Sequence, residues 1–316
     1  MRIMPFPLSS RTLSNLCLMV CLFAANLVIG AEEPTLPEGR HGIASAFPAD
    51  ASIAQHKDVI FNETFEEPNY KYRWDDVKDE DGEVLSLTDN TKPLHGLLGR
   101  HALKVAADLE KNTGGNLTKW FESSDQLFIR YYVKFDPNCD YIHHFGILRA
   151  NKSLNGSGKW TGFGGAGKKP VGDDRFSTAV EPWGNWKQVP APGMWHFYTY
   201  WHEMEGSRDG NYWGNSFDPE TPIQVPKDQW ICVEFMVDHN TPGVADGSQA
   251  FWIDGKLAGH WKGINWRTSD SLWANAYTLE SYVTDRWTKN RFNTVYFDNL
   301  VIAKSYIGPS SDGKSN

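Results

Sequence analysis

The amino-acid sequence predicts an all-β protein, an antiparallel sandwich built from many short strands. Runs of alternating apolar and polar residues are separated by clusters of Gly, Pro, Asn and Asp, which is the pattern of a two-layer sheet protein. Aromatic residues, which favour strands, are abundant, with 14 Trp, 12 Tyr and 17 Phe. No helical period extends beyond a turn or two. The length of 316 residues fits one large sheet domain.

The N-terminal segment over 1–31 has the pattern of a secretory signal peptide. A basic start precedes an apolar run over 16–29, and the small residues Gly30 and Ala31 end that run. The run is shorter than the ~20 residues that a membrane-spanning helix needs, and no later segment is long and apolar enough to span. We therefore expect a protein that is secreted or periplasmic and has no membrane anchor.

The rest of the chain divides into three segments by composition. An N-terminal arm over 32–57 is rich in Pro, Ala and Glu and has no period, the β domain covers 58–309, and a polar tail over 310–316 is expected to be disordered. The strands expected within the domain, in chain order, cover 59–66, 101–107, 126–135, 141–148, 175–183, 194–204, 229–239, 249–261, 275–283 and 293–303.

Charge narrows the class of partner. The formal net charge of −8 argues against nucleic acid as a ligand. An acidic protein still binds an anionic polymer where Lys and Arg are concentrated in one groove, so a polysaccharide that carries uronic acids remains a candidate. We expect a monomer with this partner, because nothing in the sequence indicates an oligomer.

Alternation along three strands separates a core face from a face with binding chemistry. The second face carries, strand by strand, Arg130, Tyr132 and Lys134, then Arg175, Glu181 and Trp183, then His196, Tyr198, Tyr200 and His202. An aromatic ring offers a flat apolar surface to a sugar, and neighbouring charged groups bind its hydroxyls and carboxylates. These rows predict a groove for an anionic polysaccharide.

Several enzyme classes lack their sequence signals. A laminarinase-like E-x-D-x-x-E pair of carboxylates and a G-x-S-x-G serine elbow are both absent. The acidic cluster over 75–83 is interpreted as a solvated loop, and the Gly-rich stretch over 162–169 as a loop at the groove. The adjacent His143 and His144 point to opposite faces of a strand, so they cannot chelate one metal ion together. No cofactor is required by the chemistry that remains.

That chemistry is β-elimination on a uronic acid, which histidine, tyrosine and cationic side chains can perform without a metal. The enzyme must neutralise the carboxylate, remove the proton from C5 and protonate the departing O4. Tyr200 and His202 are predicted neighbours on one face and are the first candidates. Arg175 and either His143 or His144 are expected to reach the same sugar, with Arg149 as a further candidate. A non-catalytic carbohydrate-binding module and a glycoside hydrolase with an unrecognised carboxylate pair remain the alternatives.

Several runs resemble known lyases. FIRYYVKFDPNCDYIHHFGIL resembles the strand, turn and strand of polysaccharide lyases of the alginate and glucuronan lyase type, and DRFSTAVEPW, WHFYTYWHEM and NYWGNSF resemble their Arg-bearing strand, Tyr-bearing strand and Tyr-Gly element. The resemblance implies an antiparallel β-jelly roll, a concanavalin A-like sandwich. It also implies that Tyr200 acts as base or acid with His144 and Arg175 nearby, and the Tyr-Gly element adds Tyr212 as a binding residue.

Sandwiches of this kind often hold a structural Ca²⁺ where the first and last strands meet. Asp298, with Glu63 or Glu66, would supply the hard oxygen ligands that calcium prefers. Cys139 and Cys232 follow the predicted signal peptide and form either one disulfide or two buried thiols.

Overall fold

The computed structural model describes residues 35–89 and 99–311, and the chain from Leu36 onward forms one compact unit. The predicted signal peptide and positions 312–316 of the predicted tail lie outside these residues. Within them, no helix is long and apolar enough to cross a membrane. Short 3₁₀ helices cover Ile43–Ala46, Pro48–Asp50, Ile53–Gln55, Tyr70–Arg73, Glu80–Gly82 and Gly156–Trp160.

Two antiparallel sheets confirm the predicted all-β sandwich. The eight-stranded sheet runs in the order β13 (Lys256–Ile264), β12 (Gly247–Ile253), β11 (Ile231–Asp238), β6 (Gln126–Phe135), β15 (Phe292–Ala303), β4 (His101–Asp108) and β3 (Leu85–Asp89), with β1 (Val59–Glu63) paired to β15. The seven-stranded sheet runs in the order β10 (Asn215–Phe217), β9 (Met194–Tyr200), β8 (Ser177–Trp183), β7 (His144–Asn151), β14 (Trp273–Tyr282), β5 (Gly114–Trp120) and β2 (Asp76–Lys78).

The core lies between the two sheets and is rich in aromatic rings. Phe135 of β6 stacks on Phe145 of β7 with ring centroids 5.6 Å apart, and Phe197 of β9 meets Phe251 of β12 edge to face at 5.2 Å. All four side chains are fully buried. Because such rings remove a large apolar area from water, they provide much of the driving force that brings the sheets together.

The strand predictions differ from the structure in three ways. The strand expected over 249–261 is a hairpin, β12 and β13, because Asp254 and Gly255 form a turn with φ of 51° and 79°. The strand expected over 194–204 ends at Tyr200. The cluster over 75–83, interpreted as a loop, contains β2, and β3, β5 and β10 were not predicted either.

The N-terminal arm packs on the outer face of the eight-stranded sheet. Ile43 and Ile53 from the arm join Phe128 and Trp252 from the sheet in a second apolar cluster. The Trp252 indole Nε1 donates a hydrogen bond to the Pro37 carbonyl at 2.8 Å. This face of the sheet is therefore closed by the arm rather than open to a ligand.

Three predicted binding residues lie on that closed face, which corrects their assignment to the groove. Arg130 is fully buried and pairs with Asp50 of the arm at 2.7 Å. The Tyr132 hydroxyl accepts a hydrogen bond from the Ser310 backbone N–H at 2.9 Å, so that tail residue is also buried. Lys134 is 7% exposed, with its ammonium over the rings of neighbouring aromatic residues. Alternation correctly placed these three residues on one face of β6. However, β6 belongs to the eight-stranded sheet, whereas the other two strands with predicted binding residues belong to the seven-stranded sheet.

Both cysteines that follow the predicted signal peptide are free and buried. Burial raises the pKa of the Cys139 thiol to about 12 and that of Cys232 further still. Of the two alternatives, a disulfide or two buried thiols, the structure shows two buried thiols, and their raised pKa keeps them protonated.

Candidate functional site

A cleft of about 610 Å³ lies on the face of the seven-stranded sheet that points away from the core. Four adjacent strands, β9, β8, β7 and β14, form its floor, and the Gly-rich loop over 162–169 forms one side. The lining residues are Lys78, His144, Ile147, Arg149, Gly162, Gly164, Gly165, Ala166, Arg175, Ser177, Ala179, Tyr198, Tyr200, Glu280 and Tyr282. Five of the predicted site residues therefore meet here: His144, Arg149, Arg175, Tyr198 and Tyr200.

Two tyrosines of β9 form a hydroxyl pair on the cleft floor. Tyr198 and Tyr200 alternate onto the same face, and their hydroxyl oxygens are 3.2 Å apart. The Tyr198 ring lies directly against Gly214, where a Cβ atom would be 2.7 Å from the ring, so this position leaves room only for glycine. Burial, with the neighbouring Tyr200, raises the pKa of Tyr198 well above its usual value. Tyr198 therefore stays protonated and can donate to the Tyr200 oxygen.

His144 lies beside this pair and is held by a buried carboxylate. Its Nδ1 is 3.7 Å from Glu181 Oε2, and its ring is 5.8 Å from that of Tyr198 and stacks on Tyr282 at 6.0 Å. Burial favours the uncharged ring, but the charges of Glu181 and Glu280 outweigh burial and raise the pKa of His144 above its usual 6.5. The cleft thus places a histidine with a raised pKa next to two phenol groups.

Glu181 lies close to two histidines, His144 and His196. It is buried on β8, and its other oxygen lies 4.0 Å from Nε2 of His196 on β9. Glu181 was predicted to bind substrate. The structure places its carboxylate between two histidine rings, where it can orient both of them.

A second ion pair joins Arg149 of β7 to Glu280 of β14. Arg149 Nη2 is 3.4 Å from Glu280 Oε1, and the guanidinium lies over the Phe163 ring at 4.7 Å. Burial lowers the pKa of Arg149 and raises the pKa of Glu280, and the opposite charge of each partner counteracts both shifts. The two groups face each other as a pair at the cleft wall.

Arg175 holds the Gly-rich loop against the cleft. Its guanidinium donates hydrogen bonds to the Lys168 carbonyl at 2.7 Å and to the Asp174 carboxylate at 2.8 Å. A Cβ atom at Gly165 would lie 2.3 Å from Arg175 Nε, so the glycine permits this close contact. The loop predicted at the groove is therefore fixed there by the predicted arginine.

The other predicted site residues lie near the cleft without lining it. His143 contacts the His144 ring at 4.2 Å, and burial, with the nearby cations, lowers the pKa of His143 to about 4. Trp183 follows Glu181 on the same face of β8 and stacks on His196 at 6.1 Å. Tyr212 forms a bridge with Gly167 of the Gly-rich loop.

His202 is the one predicted catalytic residue that the structure separates from the others. Because β9 ends at Tyr200, the alternation that should continue Tyr200's row stops before His202. The His202 ring lies in the following turn with Nε2 3.7 Å from Glu203 Oε1, and it is not among the cleft residues. The expected Tyr200–His202 pair is replaced by Tyr198 and Tyr200.

Three charged or aromatic cleft residues were not predicted from the sequence. Glu280 and Tyr282 share one face of β14, and the alternation that sorted the other strands would also have identified them. Lys78 belongs to the cluster interpreted as a solvated loop, and pairing of β2 with β5 brings it to the cleft.

The expected calcium site at Asp298 stays a prediction. Asp298 is fully buried near Glu66, Asp50 and Arg130. No group of three or more His, Cys, Asp or Glu side chains suited to a metal ion occurs in the part of the chain that the structure describes.

Comparison with protein-family models and with curated proteins finds no match. Solved structures do match. Alginate lyase vAL-1 from Chlorella virus is 16% identical, with 78% of this chain and 100% of that chain covered and a TM-score of 0.57. The marine PL-14 alginate lyase from Aplysia kurodai is 13% identical, with 78% and 99% covered and a TM-score of 0.57. The likeness confirms the predicted fold, the jelly-roll sandwich of these lyases.

Proposed function

We propose that this protein is a polysaccharide lyase that cleaves a uronic acid polysaccharide by β-elimination. The observation that carries the proposal is the Tyr198–Tyr200 hydroxyl pair beside His144, within one cleft. The alginate lyases from Chlorella virus and Aplysia kurodai share this fold, which agrees with this reaction class. Fold alone does not define an activity, and the side chains of the cleft support this one.

The reaction breaks the C5–H and C4–O4 bonds and forms the C4–C5 double bond and a new O4–H bond. In this proposal Tyr200 reacts as its phenolate: its oxygen takes the proton from C5, the C4–O4 bond breaks as the C4–C5 double bond forms, and the resulting phenol gives that proton to O4. The phenolate is thereby regenerated, so no proton is gained or lost overall. Tyr198 donates to the Tyr200 oxygen and stabilises it while it is negatively charged.

The cleft brings together cationic groups that can face a uronate. Electron density moves onto the C5 carboxylate when the C5 proton leaves, and the adjacent His144, whose pKa is raised, stabilises that charge in its protonated form. Lys78, Arg149 and Arg175 line the same cleft, with Arg149 paired to Glu280 and Arg175 to Asp174. These groups give an acidic protein a local site for an anionic polymer.

A glycoside hydrolase is the second candidate, because two carboxylates, Glu181 and Glu280, approach the same cleft. Hydrolysis requires one of them to donate a proton and the other to act as nucleophile or base. Glu280 is paired with Arg149, and Glu181 faces His144 and His196. Both carboxylates are therefore engaged in holding cations, which favours elimination.

We further propose that the chain acts outside the cytoplasm, since residues 1–31 have the pattern of a signal peptide. One assay separates the functional classes. The purified protein is incubated with alginate, glucuronan, pectate and glycosaminoglycans, and the ultraviolet absorbance of unsaturated uronides is recorded together with reducing ends. Absorbance supports elimination, reducing ends without absorbance identify a hydrolase, and binding without either product identifies a carbohydrate-binding module.

A further inference from the structure

Beyond the end of the cleft that contains His144, three tryptophans from two loops and one strand end come together. Trp183 ends β8, Trp186 follows it in the loop to β9, and Trp287 belongs to the loop after β14. The ring centroids are 5.4 Å apart for Trp183 and Trp186, 5.7 Å for Trp183 and Trp287, and 5.2 Å for Trp186 and Trp287. We call this set the tryptophan cluster.

Trp186 is presented to solvent at a cost to the fold. Its indole is 62% exposed, although a tryptophan that serves only packing is normally covered. Asn185, Trp186 and Lys187 have φ values of 43°, 56° and 67°, a left-handed run that non-glycine residues seldom adopt. Neither exposure nor this backbone favours stability, so another role must maintain them.

The loop that carries Trp186 is firmly anchored. The Tyr141 hydroxyl donates a hydrogen bond to the Val189 carbonyl at 2.7 Å, and the Val189 backbone N–H donates to the Gly184 carbonyl at 3.1 Å. The exposed indole is therefore held in a defined place. A fixed aromatic surface costs little entropy when a ligand binds.

The tryptophan cluster is continuous with the cleft through stacked rings. Trp287 lies parallel to His143 at 6.3 Å, and His143 contacts His144 at 4.2 Å. Trp183 is two residues from Glu181 on one strand face, about 6.6 Å by the rise per residue. A polymer held at the Tyr198–Tyr200 pair would reach this cluster.

The charge at the cluster suits an acidic sugar. The Arg286 guanidinium lies over the Trp287 ring at 5.0 Å, and Lys187 is exposed beside Trp186. His143, with its lowered pKa, is neutral at pH 7 and offers ring nitrogens for hydroxyl groups. Indole faces for the C–H side of a pyranose and a guanidinium for its carboxylate occur together.

We propose that the tryptophan cluster is a separate binding subsite for one uronic acid residue of the polysaccharide, beyond the sugar that reacts. The proposal rests on the proposed function for its choice of sugar. Its consequence is a preference for longer chains, since only an oligosaccharide that extends from the cleft reaches Trp186.

The test compares Trp186→Ala with Phe292→Ala. Phe292 is 63% exposed and begins β15 on the other sheet, so it matches Trp186 in exposure and lies apart from the cleft. Both substitutions are made in the Tyr200→Phe background, so that binding of di- and hexasaccharides prepared from alginate, glucuronan and pectate is measured by calorimetry without turnover. We expect Trp186→Ala to weaken hexasaccharide binding about 3- to 10-fold, the range of one aromatic contact, and to leave disaccharide binding unchanged. Phe292→Ala should leave the affinity for both ligands unchanged.

Several results would overturn the subsite. These are an unchanged hexasaccharide affinity in Trp186→Ala, an equal loss for both ligand lengths, and no binding of any of these uronates by the Tyr200→Phe protein. A change of molar mass in Trp186→Ala, measured by light scattering, would instead identify this face as a contact between copies. If hexasaccharide binding depends on Trp186 but the wild type forms no unsaturated product, the subsite stands and only the proposed reaction fails.

Discussion

The Arg130 guanidinium and the Asp50 carboxylate form a buried ion pair, with Nη2 2.7 Å from Oδ2, between the middle of the eight-stranded sheet and the N-terminal arm. Asn299 donates a second hydrogen bond to the same Asp50 oxygen at 3.0 Å. A pair removed from water in this way is costly to break, because the remaining charge has no solvent to replace its partner. The pair therefore ties the arm to the sheet.

Asp50→Ala should consequently destabilise the protein by about 3–5 kcal/mol, since it leaves the Arg130 charge buried and unpaired. Urea unfolding followed by tryptophan fluorescence measures the loss. The control is Lys57→Ala, which breaks an ion pair with Asp58 whose lysine is 84% exposed, and it should leave the unfolding midpoint nearly unchanged. Equal losses in both variants would contradict the role assigned to Asp50.

The same ion pair shows which features of the fold the sequence does not predict. Alternation along β6 separated Arg130 from its core-facing neighbours, and the strand bounds were predicted as observed. Alternation does not tell which of two sheets a strand joins or what covers its outer face. Asp50 lies in an arm without any period, so its contact with Arg130 had no local signal.

At the candidate site, too, alternation predicted relations within one strand but not those between strands. Tyr198 and Tyr200 were predicted on one face because both belong to a single strand. Glu181, His144 and Glu280 come from three strands that are adjacent only because of the sheet order, which depends on non-local pairing. The His144–Glu181 contact and the raised pKa of His144 could therefore not be predicted without the structure.

Tyr200→Phe should lower the elimination rate by about 10²- to 10⁴-fold, the usual contribution of general acid–base catalysis, because the ring stays and only the hydroxyl is lost. Initial rates of unsaturated-product formation measure the effect. Tyr72→Phe is the matched control, since Tyr72 is 90% exposed in the 3₁₀ helix over 70–73. Oligosaccharide affinity should be retained in both variants, and a Tyr200→Phe enzyme with a wild-type rate would exclude Tyr200 as the proton carrier.

Substrate binding should weaken as pH rises, because His144 must be protonated to attract the uronate. Its pKa is raised above 6.5 by Glu181, so the cation is complete below that pH and is lost as pH rises through the higher value. His143, with a pKa of about 4, is already neutral throughout this range. The Tyr200→Phe variant allows binding of an alginate hexasaccharide to be measured by calorimetry without turnover.

Adding Glu181→Gln to that variant tests the cause. Without the carboxylate the pKa of His144 should fall, so the loss of affinity should begin at lower pH. His144→Gln should remove the pH dependence from this range. If neither substitution changes the profile, another group binds the carboxylate.

Arg175→Met should loosen the Gly-rich loop while leaving the sheet intact. Arg175 donates to the Lys168 carbonyl at 2.7 Å, and methionine keeps an unbranched side chain but no donors. Hydrogen exchange followed by mass spectrometry should therefore show faster exchange over 162–169 and no change in β8 or β9.

The kinetic constants of Arg175→Met should also change. We expect KM to rise more than kcat falls, because the loop forms one side of the cleft and Tyr200 is untouched. Arg208→Met, at an exposed position, serves as the control. A large loss of kcat with an unchanged exchange pattern would mean that Arg175 acts on the reacting sugar itself and does not work by positioning the loop.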